Sequence, residues 1–262
     1  MALLHRAEIS PSKLELLAGW LPGRPWYAGP AAGEPVRVAA YRFDDPAGEV
    51  GIETMLVRIG DSPVYQVPLT YRGAPLADAE RWLVGTTRHS VLGPRWVYDA
   101  CGDPVYAAAL ATAIRTGVGQ AEEYFETDAG REPRPPSMTV AGTGRAVLPV
   151  VGAVRQVYDG DPTVIGADTV DLAVARRLSG VGPSGVGPSG VGPSGVGPSG
   201  GGPSDVGIPG AGLPGAGLSG VGLPGGGLSD VGLSGGGSEG GTLTGSWPGQ
   251  STPLPLARVL PR

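Results

Sequence analysis

Between Val181 and Gly240 the chain runs as twelve consecutive five-residue units with glycine second in each, and the first four are identical Val-Gly-Pro-Ser-Gly. These 60 residues hold 25 of the 48 glycines and neither an aromatic nor a basic residue. So little apolar area per residue cannot offset an ordering cost of ~1–2 kcal/mol per residue, and a disordered low-complexity insertion over 179–241 is expected. The competing reading is a β-helix of pentapeptide coils with an apolar residue at each unit's centre. Only Ile208, Leu213, Leu218, Leu223, Leu228 and Leu233 suit that role, and the first five centres are proline. Repeat folds need three or more mutually buried units, which these centres do not supply. Any globular core must therefore come from the remaining 202 residues, which are enough for one.

The first of the remaining segments opens with a helix signal. Ser10 suits a cap, Pro11 the first helical position and Glu15 the early turns, while Leu14, Leu17 and Leu21 share a face. Pro22-Gly23 ends the helix after about three turns. Val36–Phe43, Val50–Ile59 and Val64–Tyr71 then read as strands bounded by turn residues, a spacing that favours an antiparallel meander with the helix packed on it. Two further strands, Trp82–Thr86 and Arg95–Tyr98, precede a second helix. Asp103 suits its cap, Pro104 its first position and Gly117 its end. Beyond the acidic stretch Ala121–Asp128 and the turn at Pro133–Pro136, β-type runs return at Met138–Ala141, Ala146–Tyr158, Thr163–Ile165 and Val170–Val174. After the repeat, alternation resumes over Thr242–Gln250 and Leu254–Leu260, which predicts a return to the folded body. The expected class is α+β: an antiparallel sheet with one helix, then a second mainly-β subdomain with one helix.

Composition and motifs exclude more chemistry than they suggest. A net charge of −5 without a basic cluster argues against a nucleic-acid or anionic-membrane partner. No run approaches the ~20 apolar residues of a spanning helix. One cysteine, Cys101, forms no internal disulfide, and a reduced, cytoplasmic setting is expected. With His5 and His89 the only histidines, no structural zinc set, catalytic triad or other metal or cofactor site is assignable. Gly142-Thr143-Gly144 resembles the start of a nucleotide loop, but lacks the rest of such a motif and reads as a strand-to-strand turn. Asp99 and Asp103 share a helix start, where capping accounts for them. The lone lysine, Lys13, reads as exposed on the first helix. The one distinctive cluster is Trp20, Trp26 and Tyr27, with two readings: a platform for sugar rings, or a lock between helix and sheet.

Trp20-Leu21-Pro22-Gly23-Arg24-Pro25-Trp26-Tyr27-Ala28-Gly29 is similar to the Trp-Leu-Pro-x-x-Arg-Trp-Phe/Tyr-Ala/Gly-Gly segment that opens actinobacterial maltokinases, which make maltose 1-phosphate for glycogen-type α-glucan synthesis. Arg95–Pro104 resembles a strand and helix start further along their N-terminal lobe, and Leu243–Gln250 resembles the ending of stand-alone maltokinase N-terminal cap-like proteins. The resemblance implies a cystatin-like cap over 1–80, an intermediate mainly-β subdomain over 81–178 plus 242–262, and the insertion between. It also implies where catalysis is missing. Leu172-Ala173-Val174-Ala175-Arg176-Arg177-Leu178 looks like the maltokinase strand Leu-Lys-Leu-Phe-Arg-Arg-Leu with Ala173 in place of the ATP-positioning lysine, and no His-Gly-Asp catalytic loop follows. Phosphoryl transfer depends on positioned cations and a group that orients the nucleophile. The expected function is thus a non-enzymatic module that binds or regulates a partner such as a maltokinase or trehalose synthase. The alternatives are a sugar kinase or α-glucan branching activity, and a carbohydrate-binding module built on Trp20, Trp26 and Tyr27.

Overall fold

The computed structural model describes residues 2–4, 8–127, 130–145, 150–179 and 241–262. The expected insertion over 179–241 lies almost wholly outside the described residues, as does the 146–149 part of the run Ala146–Tyr158. In chain order the elements are β1 (Ala2–Leu4), β2 (Ile9–Ser10), α1 (Lys13–Trp20), β3 (Val36–Phe43), β4 (Gly51–Arg58), β5 (Val64–Arg72), β6 (Leu83–His89), β7 (Gly93–Asp99), α2 (Pro104–Thr116), β8 (Glu123–Thr127), β9 (Gly130–Arg134), β10 (Thr139–Gly142), β11 (Val154–Tyr158), β12 (Thr163–Ala167), β13 (Asp171–Val174), β14 (Arg177–Leu178), β15 (Thr242–Trp247) and β16 (Gln250–Leu260). The class is α+β, dominated by antiparallel sheet, with α1 and α2 the two α-helices among the described residues.

The first sheet has strand order β2-β6-β7-β5-β4-β3. β7 pairs with β5 only along Leu69–Arg72, and β14 pairs with β5 further on, at Val64 and Tyr65. The sheet begun by the meander thus continues past residue 80 to Asp99. The second sheet has order β10-β15-β16-β13-β12-β11, so the strands that follow the repeat sit in its middle. A small third sheet, β1-β8-β9, is built from the N-terminal strand, the acidic stretch and the proline-rich segment, the last two of which read as connection in the sequence.

Helix starts follow side-chain capping. α1 is capped by Ser12 rather than Ser10, because Ser12 and Glu15 close a capping box: Ser12 Oγ accepts from Glu15 N–H and Glu15 Oε2 from Ser12 N–H at 2.6 Å. α2 begins as expected, with Asp103 accepting from Val105 N–H at 2.9 Å and Pro104 next, and ends at Gly117 in the left-handed region, φ 73°. Gly142 has a different reason to be glycine: a Cβ there would lie 1.9 Å from the Ala113 carbonyl oxygen. The Gly144 N–H donates to Ile114 O, so this segment packs on the end of α2 with no amide cradle turned toward a phosphate.

α1 covers one face of the first sheet, where Leu17, Trp20, Leu21 and Trp26 bury against Met55, Val57, Tyr65, Val67, Leu69 and Val97. The other face packs on α2 through Tyr41, Phe43, Ile52 and Leu56 against Tyr106, Leu110 and Ile114, and this core continues into the second sheet through Ile165, Leu172, Val174, Leu243 and Leu256. Gln66, fully buried on β5, ties the sheets together by donating to the carbonyls of Ala175 and Leu256, both at 2.9 Å.

Candidate functional site

The aromatic cluster singled out in the sequence folds onto the first sheet. Trp20 and Trp26 meet edge to face at 5.9 Å, and Tyr27 lies against Tyr65 at 5.0 Å. Trp26 is 3% exposed and Trp20 is 8% exposed, while Tyr27 is half-buried. Arginines occupy the indole faces: Arg24 lies 4.7 Å above Trp20, and Arg176 lies 4.7 Å above Trp26. The Trp26 Nε1–H donates to Asp159 Oδ1 at 2.8 Å, joining this cluster to the turn between β11 and β12.

Arg176 is the centre of that junction. It is fully buried, as is Asp99, whose Oδ2 accepts from Arg176 Nη2 at 2.7 Å; Thr163 Oγ1 accepts from Arg176 Nε at the same distance. Burial opposes the charge, but the Asp99 carboxylate overcomes it and holds the guanidinium protonated. Burial pushes the nearby Cys101 thiol well up, which removes it as a nucleophile at neutral pH. Asp99 and Asp103 cap as expected, and each also holds an arginine: Arg72 makes a two-pronged bond to Asp103 at 2.7 and 2.8 Å. Ala173, at the position corresponding by resemblance to the ATP lysine, is fully buried in β13 opposite Val164 and Arg258.

A second locus was not legible as a site. α1 covers only part of its sheet face, and beyond its first turn that face is open and charged. A groove of about 590 Å³ runs there, lined by Lys13, Arg37, Arg42, Glu53, Tyr71, His89, Arg95 and Arg134 among others. Register explains the grouping: Arg42 pairs with Glu53, Gly51 with Tyr71 and Thr87 with Arg95, so side chains from five strands converge on one face. Glu53 is 3% exposed, and three donors meet on its Oε2: Lys13 Nζ, the Tyr71 hydroxyl at 2.9 Å and Arg42 Nη2 at 3.4 Å. Arg42 also pairs with Glu123, which pairs with Arg134. Burial alone would raise the Glu53 pKa, but Arg42 and Lys13 hold it far below the usual carboxylate range. Burial lowers the Lys13 amine. The lone lysine is therefore not on an exposed helix face; its position at the first helical residue aims it back onto the sheet. A lone acid at the start of the alternating face Glu53, Met55, Val57 was the available signal. His89 accepts from the N–H groups of Val91 and Leu92, fastening its own turn.

Among the described residues, no group of three or more His, Cys, Asp or Glu is placed to hold a metal ion, and no helix is long and apolar enough to cross a membrane. An α1-covered antiparallel sheet leading into α2 is an α+β arrangement. Residues 20–103 match the family described as the maltokinase N-terminal cap domain, a span that runs from the last residue of α1 to the cap of α2. The match covers 84 of the 262 residues, and this stretch is similar to that cap domain. No curated protein matches the chain.

Proposed function

We propose that the protein is a non-catalytic, cytoplasmic, cap-like module that binds or regulates a protein partner in trehalose, maltose and α-glucan metabolism. The observation that carries this reading is the match of Trp20–Asp103 to the cap of a sugar kinase. The buried alanine at position 173 supports it, because a methyl group buried in β13 offers no charge to a triphosphate. Trp20, Trp26 and Tyr27 act in this proposal as a lock between α1, the first sheet and the β11–β12 turn, and their burial and arginine-covered faces support that role over a sugar platform. The test uses the full chain with purified maltokinase and purified trehalose synthase. Calorimetry with at least one is expected to show a 1:1 or simple-ratio complex, and the chain alone is expected to release no ADP from ATP and maltose. Absence of binding to both, or maltose-dependent ADP release, refutes the proposal.

A further inference from the structure

α2 carries apolar residues on more than the side it buries. Tyr106, Leu110 and Ile114 face the core, whereas Val105, Ala108, Ala109 and Thr112, spaced three and four apart, form a second stripe. Ala108 and Thr112 in that stripe are exposed, and Val105 and Ala109 are half-buried. Arg115 is the one charged residue among the 13 of the helix. A surface helix ordinarily turns charged residues outward, and one that is apolar all round belongs in a buried setting. Thr112 does not restore polarity, because its hydroxyl donates back to the Ala108 carbonyl at 2.8 Å.

The stripe forms one wall of a groove of about 570 Å³. Val118–Glu122 and Phe43–Pro46 form the other, joined where the Ala121 N–H donates to Arg42 O. At 1.5 Å per residue the stretch Pro104–Ala113 gives the groove a length of ~14 Å, about two and a half turns of a second helix. Small side chains on α2 let such a helix approach closely. Charge selects the occupant, since the lining holds the acids Asp44, Asp45 and Glu122 and no basic residue. Asp45 accepts from the N–H groups of Ala47, Glu49 and Val50, and Glu122 from the Tyr124 hydroxyl; these neutral donors leave the negative charge in place. Arg72 lies within the field of Asp45 but is held by its two-pronged bond to Asp103. A second copy of the chain would set the same acids against these, which disfavours a symmetric dimer on this face.

We propose that this groove seats a basic amphipathic helix of a protein partner, its apolar face on Ala108 and Thr112 and its flanking Lys or Arg residues toward Asp44, Asp45 and Glu122. The inference rests on the reading of the chain as a partner-binding module and adds where the partner sits and by what chemistry. Fluorescence anisotropy of the full chain at low salt uses a labelled, designed helical peptide of four turns, with Leu and Ala at i, i+3, i+4 and i+7 and Lys or Arg on the flanks. Controls are the same peptide with Glu in place of every Lys and Arg, and a scramble of the basic one. The basic peptide is expected to bind with a Kd below ~100 μM and both controls at least tenfold more weakly. Ala108→Lys and Thr112→Lys alter exposed positions, so their melting curves are expected to overlay the parent while each weakens binding at least tenfold. Asp44→Asn combined with Glu122→Gln is expected to narrow the gap between the basic and the Glu-bearing peptide. The proposal is overturned by absence of binding, by equal binding of the Glu-bearing peptide, by unchanged affinity in both folded lysine variants, or by a dimer of the parent that Ala108→Lys separates, which would assign the face to a second copy. Binding of the peptide without binding of maltokinase or trehalose synthase defeats only the earlier reading of the partner; the converse defeats only this one.

Discussion

Removing the Asp99 carboxylate while leaving Arg176 in place tests the junction between the sheets. In Asp99→Ala the guanidinium keeps its bond to Thr163 and its stacking on Trp26, but it sits fully buried without its one direct ion-pair partner among the described residues. Breaking such a pair from one side costs ~3–5 kcal/mol, because the remaining charge stays desolvated. For a body of this size each kcal/mol moves the melting temperature by ~2–4 °C, so a fall of roughly 6–20 °C is expected. Adding Arg176→Met removes the stranded charge and leaves an apolar side chain over the Trp26 ring, so the double variant is expected to recover most of the loss. Urea unfolding followed by circular dichroism closes the cycle, with a coupling above ~2 kcal/mol expected. Loss below ~1 kcal/mol in Asp99→Ala, or additive single and double losses, refutes the account of Arg176 as a charge held by Asp99.

Trp26→Ala is expected to cost ~3–5 kcal/mol by chemical unfolding, with Trp26→Phe milder; a folded Trp26→Ala protein of parental stability would disprove the locking role. Glu53 takes up a proton only below the range in which its unfolded counterpart titrates, ~4.3. The stability it contributes is present above that pH and is lost as pH falls toward the lower folded value. Unfolding midpoints measured from pH 7 to pH 3 should therefore decline less steeply in Glu53→Gln than in the parent, and parallel slopes would argue against it. Deleting 241–262 withdraws β15 and β16 from the middle of the second sheet; an insoluble or molten product is expected on gel filtration and near-ultraviolet circular dichroism, and a monodisperse, cooperatively melting one would contradict the observed topology.

What the sequence disclosed follows from how local each signal is. Val36–Phe43 matches β3 residue for residue, and Asp103, Pro104 and Gly117 bracket α2, because alternation, capping and a left-handed terminus are decided within a few residues. Ser10, followed by Pro11, reads as the cap, whereas the reciprocal bonds between Ser12 and Glu15 decide the outcome. Glu123–Thr127 reads as acidic and solvated, yet it forms β8 by pairing with β1 and β9, partners its composition does not announce. The groove was hidden for the same reason. Arg42, Glu53, Tyr71 and Arg95 are ordinary in their own segments, and only the register of four strands, with Lys13 brought over them by α1, collects them on one face.

The placement of β16 between β13 and β15 also sets a timetable for synthesis. Val174 finds its partner in Ala257, and at roughly 5–20 residues per second the ribosome delivers that partner about 4–16 s later. Until then β13 is an open edge in addition to the outer edge of β11, and β10 has no neighbour from β15. The chain made during that interval is the glycine-rich repeat, whose lack of aromatic residues and scarcity of apolar runs give the waiting edge little to pair with wrongly.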